Sequence, residues 1–324
     1  MQGALRRIGT LFLLAVGLSV LLGGCAALLP QSEALRTEWP PGVTERVELD
    51  AVPFFPQLDY QCGPASLATV MAFAGAAVMP DDLGPKVYLP ERRGSLQVEM
   101  LAAPRAYGLV SWQLAPRFAD LLREVESGVP VIVLQNYGVW PVRYWHYAVL
   151  VGFDRATREV VLRSGEKRRL AMPFPVFEYL WKDSDYWAIA ALPPGRVPVT
   201  AREQDWLAAV AAMERVADRR FARVAYTALL QRWPDNLVGA IGLANVEYGA
   251  GDLPAAETVL RDAVRRHPDS ALALNNLAQV VAERDRPAEA LTLIDQAIAL
   301  GGAFAAQAQD TRAQILRRLA GTKP

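Results

Sequence analysis

Hydrophobic positions fall into three regimes along the chain. Residues from Ile8 to Leu22 form one nearly unbroken apolar run. From about Val47 to Leu192, stretches of helical spacing give way to short apolar runs of strand type. Leu67, Val70, Met71 and Ala74 recur at helical intervals and predict a helix over Pro64–Ala74, with the proline just inside its start. Arg117–Glu126 reads as a second helix, closed by Gly128. Strands are expected at Val129–Gln135, His146–Asp154 and Glu159–Ser164, the last two joined by the hairpin-length "RAT", and again at Tyr186–Leu192. A helical half followed by a strand-rich half predicts an α+β domain over residues 47–195, and "PPGRVP" marks its end.

Beyond about Thr200 the pattern becomes Ala- and Leu-rich and repeats. "RWPDN" at Arg232–Asn236 and "RHPDS" at Arg266–Ser270 lie 34 residues apart. The same offset pairs Leu243 with Leu277, Ala244 with Ala278, Ala256 with Ala290, and Ala263 with Ala297. A 34-residue helix–turn–helix period with small residues at the crossings resembles the tetratricopeptide repeat, which predicts an all-α domain over 200–324. A degenerate unit around Phe221 and Ala222 precedes the two clear ones, and Ala305–Leu319 is expected to cap the stack. Such repeats imply a protein partner on a concave surface and say nothing of its identity.

Composition narrows the partners. The chain has 324 residues, with 34 basic and 34 acidic side chains and a formal net charge of zero, so electrostatics give no reason to expect nucleic acid. Arg6 and Arg7 ahead of the apolar run, then "LGGC" ending at Cys25, have the layout of an export signal. "LGGC" resembles the lipobox of bacterial lipoproteins. The resemblance implies that residues 1–25 are a signal peptide, that Cys25 is lipidated, and that a mature protein is anchored in the cell envelope. Ala26 in place of Asp after the cysteine resembles outer-membrane sorting in lipoproteins, which implies a place at the outer membrane, facing the periplasm. Residues 26–46, proline-containing and without a period, read as a tether. The chain has two cysteines, so with Cys25 carrying lipid Cys62 has no intramolecular partner.

Cys62 is the chemical candidate. It directly precedes "GPASLATVM", which sets its sulfur at a helix N-terminus, where a thiolate is favoured. His146 opens an apolar strand and could supply the base; His267, the only other histidine, sits at a repeat's helix end, where capping carbonyls suffices to explain it. A small buried cysteine is the plainer alternative, against which stands Gly63, a residue that lets backbone approach closely. Gln57, five residues upstream of Cys62, could donate to an oxyanion, with Gln61 as the competing donor. One thiol and one useful histidine do not make a zinc site, and neither phosphate-loop motif, "GxGxxG" nor "GxxxxGK[ST]", occurs, so no metal or cofactor is expected.

"VPFFPQLDYQCGPASLATVMAF" followed by "WHYAVLVGFD" resembles the C39-like branch of papain-fold cysteine peptidases. The resemblance implies a papain-like α+β fold with Cys62 as nucleophile, His146 as base and Gln57 as oxyanion donor. It implies a membrane-anchored cysteine peptidase that hydrolyses a peptide or amide bond, with the repeats recruiting a protein substrate or partner. The family's orienting Asp has no counterpart here: the second hairpin strand ends "VVLRSG", so Ser164 is left as a weak orienting group, with Glu166 nearby. Asp154 ends the strand that His146 begins, some 25 Å away at about 3.3 Å per residue. A catalytically weak or inactive binding adaptor, and a thioester acyltransferase, are the competing expectations.

Overall fold

A computed structural model describes residues 29–56, 61–92, 94–139 and 141–321. The chain divides into two compact units: one holds residues up to Pro104, Ser111–Leu192 and Pro198–Thr200, the other Arg105–Val110, Pro193–Val197 and the chain from Ala201 on. The first is α+β with an antiparallel sheet and the second is a helical repeat array. Among the described residues no helix is long and apolar enough to cross a membrane.

The strongest apolar runs become the middle of the sheet. β5 (Val131–Asn136) is buried at every position and β6 (Trp145–Asp154) at all but its ends, as expected of strands covered on both faces. They pair antiparallel with β9 (Ala188–Leu192) beside β5 and β7 (Glu159–Ser164) beside β6, in the spatial order β4 (Val110–Gln113), β9, β5, β6, β7, β8 (Lys167–Pro173). β1 (Arg46–Glu48) adds to the far end of β6. Strand β8, which the sequence pattern did not reveal, exposes Lys167, Arg168 and Arg169 and closes the sheet edge with charge.

Helices cover this sheet. α1 is Pro30–Thr37, α2 is Cys62–Phe73, α3 is Pro80–Val87, α4 is Gln97–Ala102, α5 is Phe118–Glu126 and α6 is Phe174–Lys182. A two-stranded ribbon, β2 (Tyr88–Leu89) with β3 (Gly94–Ser95), follows α3. Phe118, Phe174, Phe177 and Trp181 pack ring on ring at 5.0–6.2 Å and join α5 to α6.

Helix α1 corrects the expectation of a tether without structure. Its first amides, on Gln31 and Ser32, donate to the fully buried Glu178 carboxylate at 3.0 and 2.5 Å, and the Ser32 hydroxyl bonds the same group. A carboxylate at a helix N-terminus satisfies the orphan amides and the helix dipole together. A partner 146 residues away in the chain supplies the order that local periodicity lacks.

The second unit is α7 (Glu203–Glu214), α8 (Arg219–Arg232), α9 (Leu237–Gly249), α10 (Leu253–Arg266), α11 (Ala271–Glu283), α12 (Pro287–Leu300) and α13 (Ala305–Leu319). The repeated "PDN/PDS" is helix punctuation. Trp233 and His267 end one helix, and Asn236 and Ser270 cap the next through the amides of Gly239 and Ala273. His267 Nε2 also bonds the Asp235 carbonyl at 2.9 Å. Ala244, Ala256, Ala263, Ala278, Ala290 and Ala297, all on the repeating offset, lie in the core.

Glu257 in α10 is buried and bonds Arg261, Arg284 and Arg286. Burial alone would raise its pKa, but the three guanidiniums outweigh it and hold the carboxyl below its ordinary value. A depressed carboxyl pKa adds stability that is full above the unfolded-state value and is lost as pH falls through the folded one. Glu257→Gln should therefore lower the stability of the chain at pH 7 by about 2 kcal/mol and flatten its decline as pH falls below the ordinary carboxyl range, read by denaturant melts. In the first unit, Glu178→Gln should release α1, so that limited proteolysis cuts first within residues 30–45.

Candidate active site

Cys62 is the first residue of α2, two residues earlier than the expected start, with Gln61 as its N-cap. Burial pushes the thiol pKa up, and the backbone amides of Tyr147, Gly63 and Cys62 near the sulfur oppose that effect without overcoming it. Tyr147 immediately follows His146 on β6, so the thiol faces the strand at the histidine's end. Two further contacts set that crossing. The Ser66 hydroxyl, one turn along α2, donates to the Tyr147 carbonyl at 3.2 Å. A Cβ on Gly63 would lie 2.2 Å from the Ser95 hydroxyl, so only glycine admits β3 this close to the helix start. Tyr147 completes the clamp by donating its phenol proton to the Ser95 carbonyl at 3.1 Å.

His146 is half-buried and stands opposite Gln135 in the β5–β6 register. Its Nε2 lies 2.9 Å from Ser164 Oγ on β7, and the Tyr137 ring meets the imidazole edge-on at 5.6 Å. Burial lowers the imidazole pKa to about 4. At neutral pH the pair therefore rests as thiol and neutral imidazole, with the base free to accept a proton.

Of the other expected residues, Gln57 and Cys25 lie outside the described residues. Glu166 is exposed in the turn between β7 and β8, and no hydrogen bond or ion pair joins it to His146. Asp154 holds the turn after β6 by accepting from the Ala156 and Thr157 amides, at the end of the strand opposite His146. Sequence reasoning missed Gln135 and Tyr137. The signal available was their position in "QNYGVWPVRYWH", where a hairpin folds both back toward His146.

A cavity of about 270 Å³ is lined by Gln61 and Pro64, which flank Cys62 in the chain, and by Pro80, Asp81, Gly84 and Tyr88. A Cβ on Gly84 would touch nothing within 4 Å and the residue has no positive φ, so neither packing nor backbone conformation requires a glycine there. Its lack of a side chain leaves the cavity open.

A helix carrying a cysteine at its N-terminus, laid across an antiparallel sheet whose strand brings a histidine, is the plan of a papain-like cysteine peptidase domain. Residues 49–178 match the family model described as "Peptidase_C39 like family". Residues 241–309 match the one described as tetratricopeptide repeat. The chain thus carries a C39-like peptidase domain followed by tetratricopeptide repeats. No curated protein matches it. Among solved structures it is similar to a putative C39-like peptidase from Bacillus anthracis (21% identity, TM-score 0.40, 46% of this chain and 98% of that one). It is also similar to a double glycine motif protease from an AMS/PCAT transporter, solved with a leader peptide (24% identity, TM-score 0.32, 44% and 89%). A third similar structure is the TPR2B domain of yeast Sti1 (21% identity, TM-score 0.30, 31% and 85%).

Gly63→Ala should force Ser95 aside, lower stability by about 1–3 kcal/mol and slow alkylation of Cys62. Adding Ser95→Gly should recover most of both losses, a coupling that a double-mutant cycle measures directly.

Proposed function

We propose that the chain is a cysteine hydrolase that cleaves a peptide or amide bond through Cys62. The observation carrying this reading is the placement of the Cys62 thiol against the Tyr147 amide, next to a neutral His146 whose Nε2 is held by Ser164. His146 takes the thiol proton as sulfur bonds to the scissile carbonyl carbon. The carbonyl becomes an oxyanion, for which the Gln57 side chain is the proposed donor. Collapse breaks the C–N bond, His146 returns the proton to the departing amine, and a thioester remains on Cys62. Water activated by His146 then releases the acid and restores the thiol. Because burial favours the neutral pair, proton transfer accompanies attack instead of preceding it.

The cavity lined by Gln61 and Pro64 is the proposed seat for a substrate side chain, and the repeats recruit the protein that carries it. Cys25 is the proposed lipid site, on the strength of "LGGC", with the chain at the outer membrane facing the periplasm. Counting from Cys25 to Pro30, the chain spans at most about 18 Å. With α1 pinned by Glu178, an anchored enzyme would work close to the bilayer.

A second reading, a binding adaptor without turnover, draws on the raised thiol pKa and the missing carboxylate. The test is alkylation of Cys62 with iodoacetamide and an activated-ester substrate, in the unaltered chain and in His146→Ala. Hydrolysis predicts a burst of acylation equal to one thiol, lost in Cys62→Ser and reduced at least about 100-fold in His146→Ala. A thiol no more reactive than a free one, unchanged by His146→Ala, leaves the adaptor. Appearance of an amine adduct would identify acyl transfer instead.

A further inference from the structure

The connection between β5 and β6 runs past the end of the sheet. β9 follows β5 no further than Leu134, whose amide donates to the Trp187 carbonyl, and β7 follows β6 no further than Ser164 at His146. Beyond Asn136 and Trp145 the two strands stand alone as a hairpin, in whose turn the Val142 amide donates to the Val139 carbonyl at 2.7 Å. The base of the hairpin is braced. Asn136 accepts from the Gly138 and Tyr144 amides at 2.9 Å each, and donates to Asp183 at the end of α6 at 2.8 Å. A Cβ on Gly138 would lie 2.2 Å from the Val142 carbonyl oxygen, so only glycine lets the two arms close. The side chains held out this way are apolar. Val139 and Val142 are 75% and 70% exposed, and Tyr137, Tyr144 and Trp145 are exposed beside them. Arg143, its guanidinium 5.5 Å from the Trp145 ring centre, carries the one charge between residues 137 and 145. A lone two-stranded hairpin is marginal in water, and an exposed apolar patch on one marks a contact surface.

The occupant follows from where the N-terminal chain enters the fold. α1 starts at Glu178, in the middle of α6, and runs away from the hairpin. Trp39, just past its end, meets Phe153 at 5.8 Å and the Arg155 guanidinium at 5.3 Å, at the far end of β6. Asp183, which braces the hairpin, lies about 7.5 Å along α6 from Glu178 in the other direction. The chain ahead of Pro30 therefore leaves on the hairpin side. It carries the apolar run Ile8–Leu22 and Cys25, and from Cys25 to Pro30 it spans at most about 18 Å. Valine and aromatic side chains with one arginine and no carboxylate suit a lipid headgroup boundary. A peptide ligand calls for a concave site, and a projecting turn is convex.

We propose that the hairpin carrying Val139, Val142, Tyr144 and Trp145 is a membrane-contact element, seated in the headgroup region of the bilayer to which the N-terminal segment attaches the chain. Seated there, it turns the Cys62–His146 end of the sheet toward the bilayer, so that a polypeptide held at that surface reaches the site. The proposal rests on reading the segment before residue 29 as a membrane anchor.

The test uses the full chain, expressed in bacterial cells and reconstituted into vesicles of phosphatidylethanolamine and phosphatidylglycerol. Photoreactive p-benzoylphenylalanine replaces Val142 or, in a control chain, Ala156, which is exposed at the other end of β6, about 30 Å away. After irradiation, mass spectrometry measures the lipid adduct at each position, and circular dichroism establishes that each variant is folded. The expected yield at residue 142 is at least about tenfold that at 156, and Val139→Asp lowers it about tenfold, because a carboxylate resists entry into the apolar boundary. Equal yields in chains that float with the vesicles, a yield indifferent to Val139→Asp, or a polypeptide adduct in place of lipid overturns the hairpin contact and leaves the anchor standing. A chain that does not float with the vesicles sinks the anchor reading and the hairpin contact together.

Discussion

The Ser66 hydroxyl donating to the Tyr147 carbonyl decides where the chemistry of the α+β unit can take place. A helix lying across a sheet can shift along its axis by a fraction of a turn with little loss of apolar contact, because burial has no direction. A hydrogen bond to one named carbonyl removes that freedom. Three residues earlier, the bare Gly63 lets Ser95 come up against the helix start. With the crossing fixed, the Cys62 sulfur meets amides from two sources, its own helix end and β6 at Tyr147. Tyr147 belongs to all of these contacts: its amide faces the thiol, its carbonyl holds Ser66 and its phenol holds Ser95.

Burial and the helix N-terminus act against each other on the thiol, and burial is the larger. On the imidazole burial acts unopposed. The outcome is a pair poised in its neutral form, which costs little to keep in a low-dielectric site. A carboxylate behind the histidine would shift that balance toward imidazolium and would itself have to be buried. Ser164 supplies geometry in its place.

The helical unit is stabilised on a different plan. Its crossings use alanine, so backbones approach closely, and the starts of α8, α9, α10 and α11 are closed by the side chains of Asp218, Asn236, Asp252 and Ser270. Glu257 adds a buried polar contact that touches α10, the end of α11 and the start of α12 through three arginines. Charge satisfied from three directions resists sliding of neighbouring helices, which alanine surfaces alone oppose weakly.

Much of this was legible before folding. Continuous apolar runs marked β5, β6, β7 and β9 because a strand buried on both faces has no polar positions to interrupt it. The 34-residue offset marked the repeats because each unit buries its face only against a copy of itself. Cys62 and His146 stood out as candidates through their local settings. Helix α1, strand β8 and the group behind His146 did not. The order in α1 comes from Glu178 and β8 is a charged edge, so neither carries an apolar period. Ser164 and Gln135 come to His146 only through the register of three strands, in which a slip of one residue would turn every side chain to the other face. Local pattern determines which segments become helix or strand, since propensity and burial act residue by residue. Which polar atoms meet behind His146 is a matter of register and crossing, and those are set only when distant segments pack.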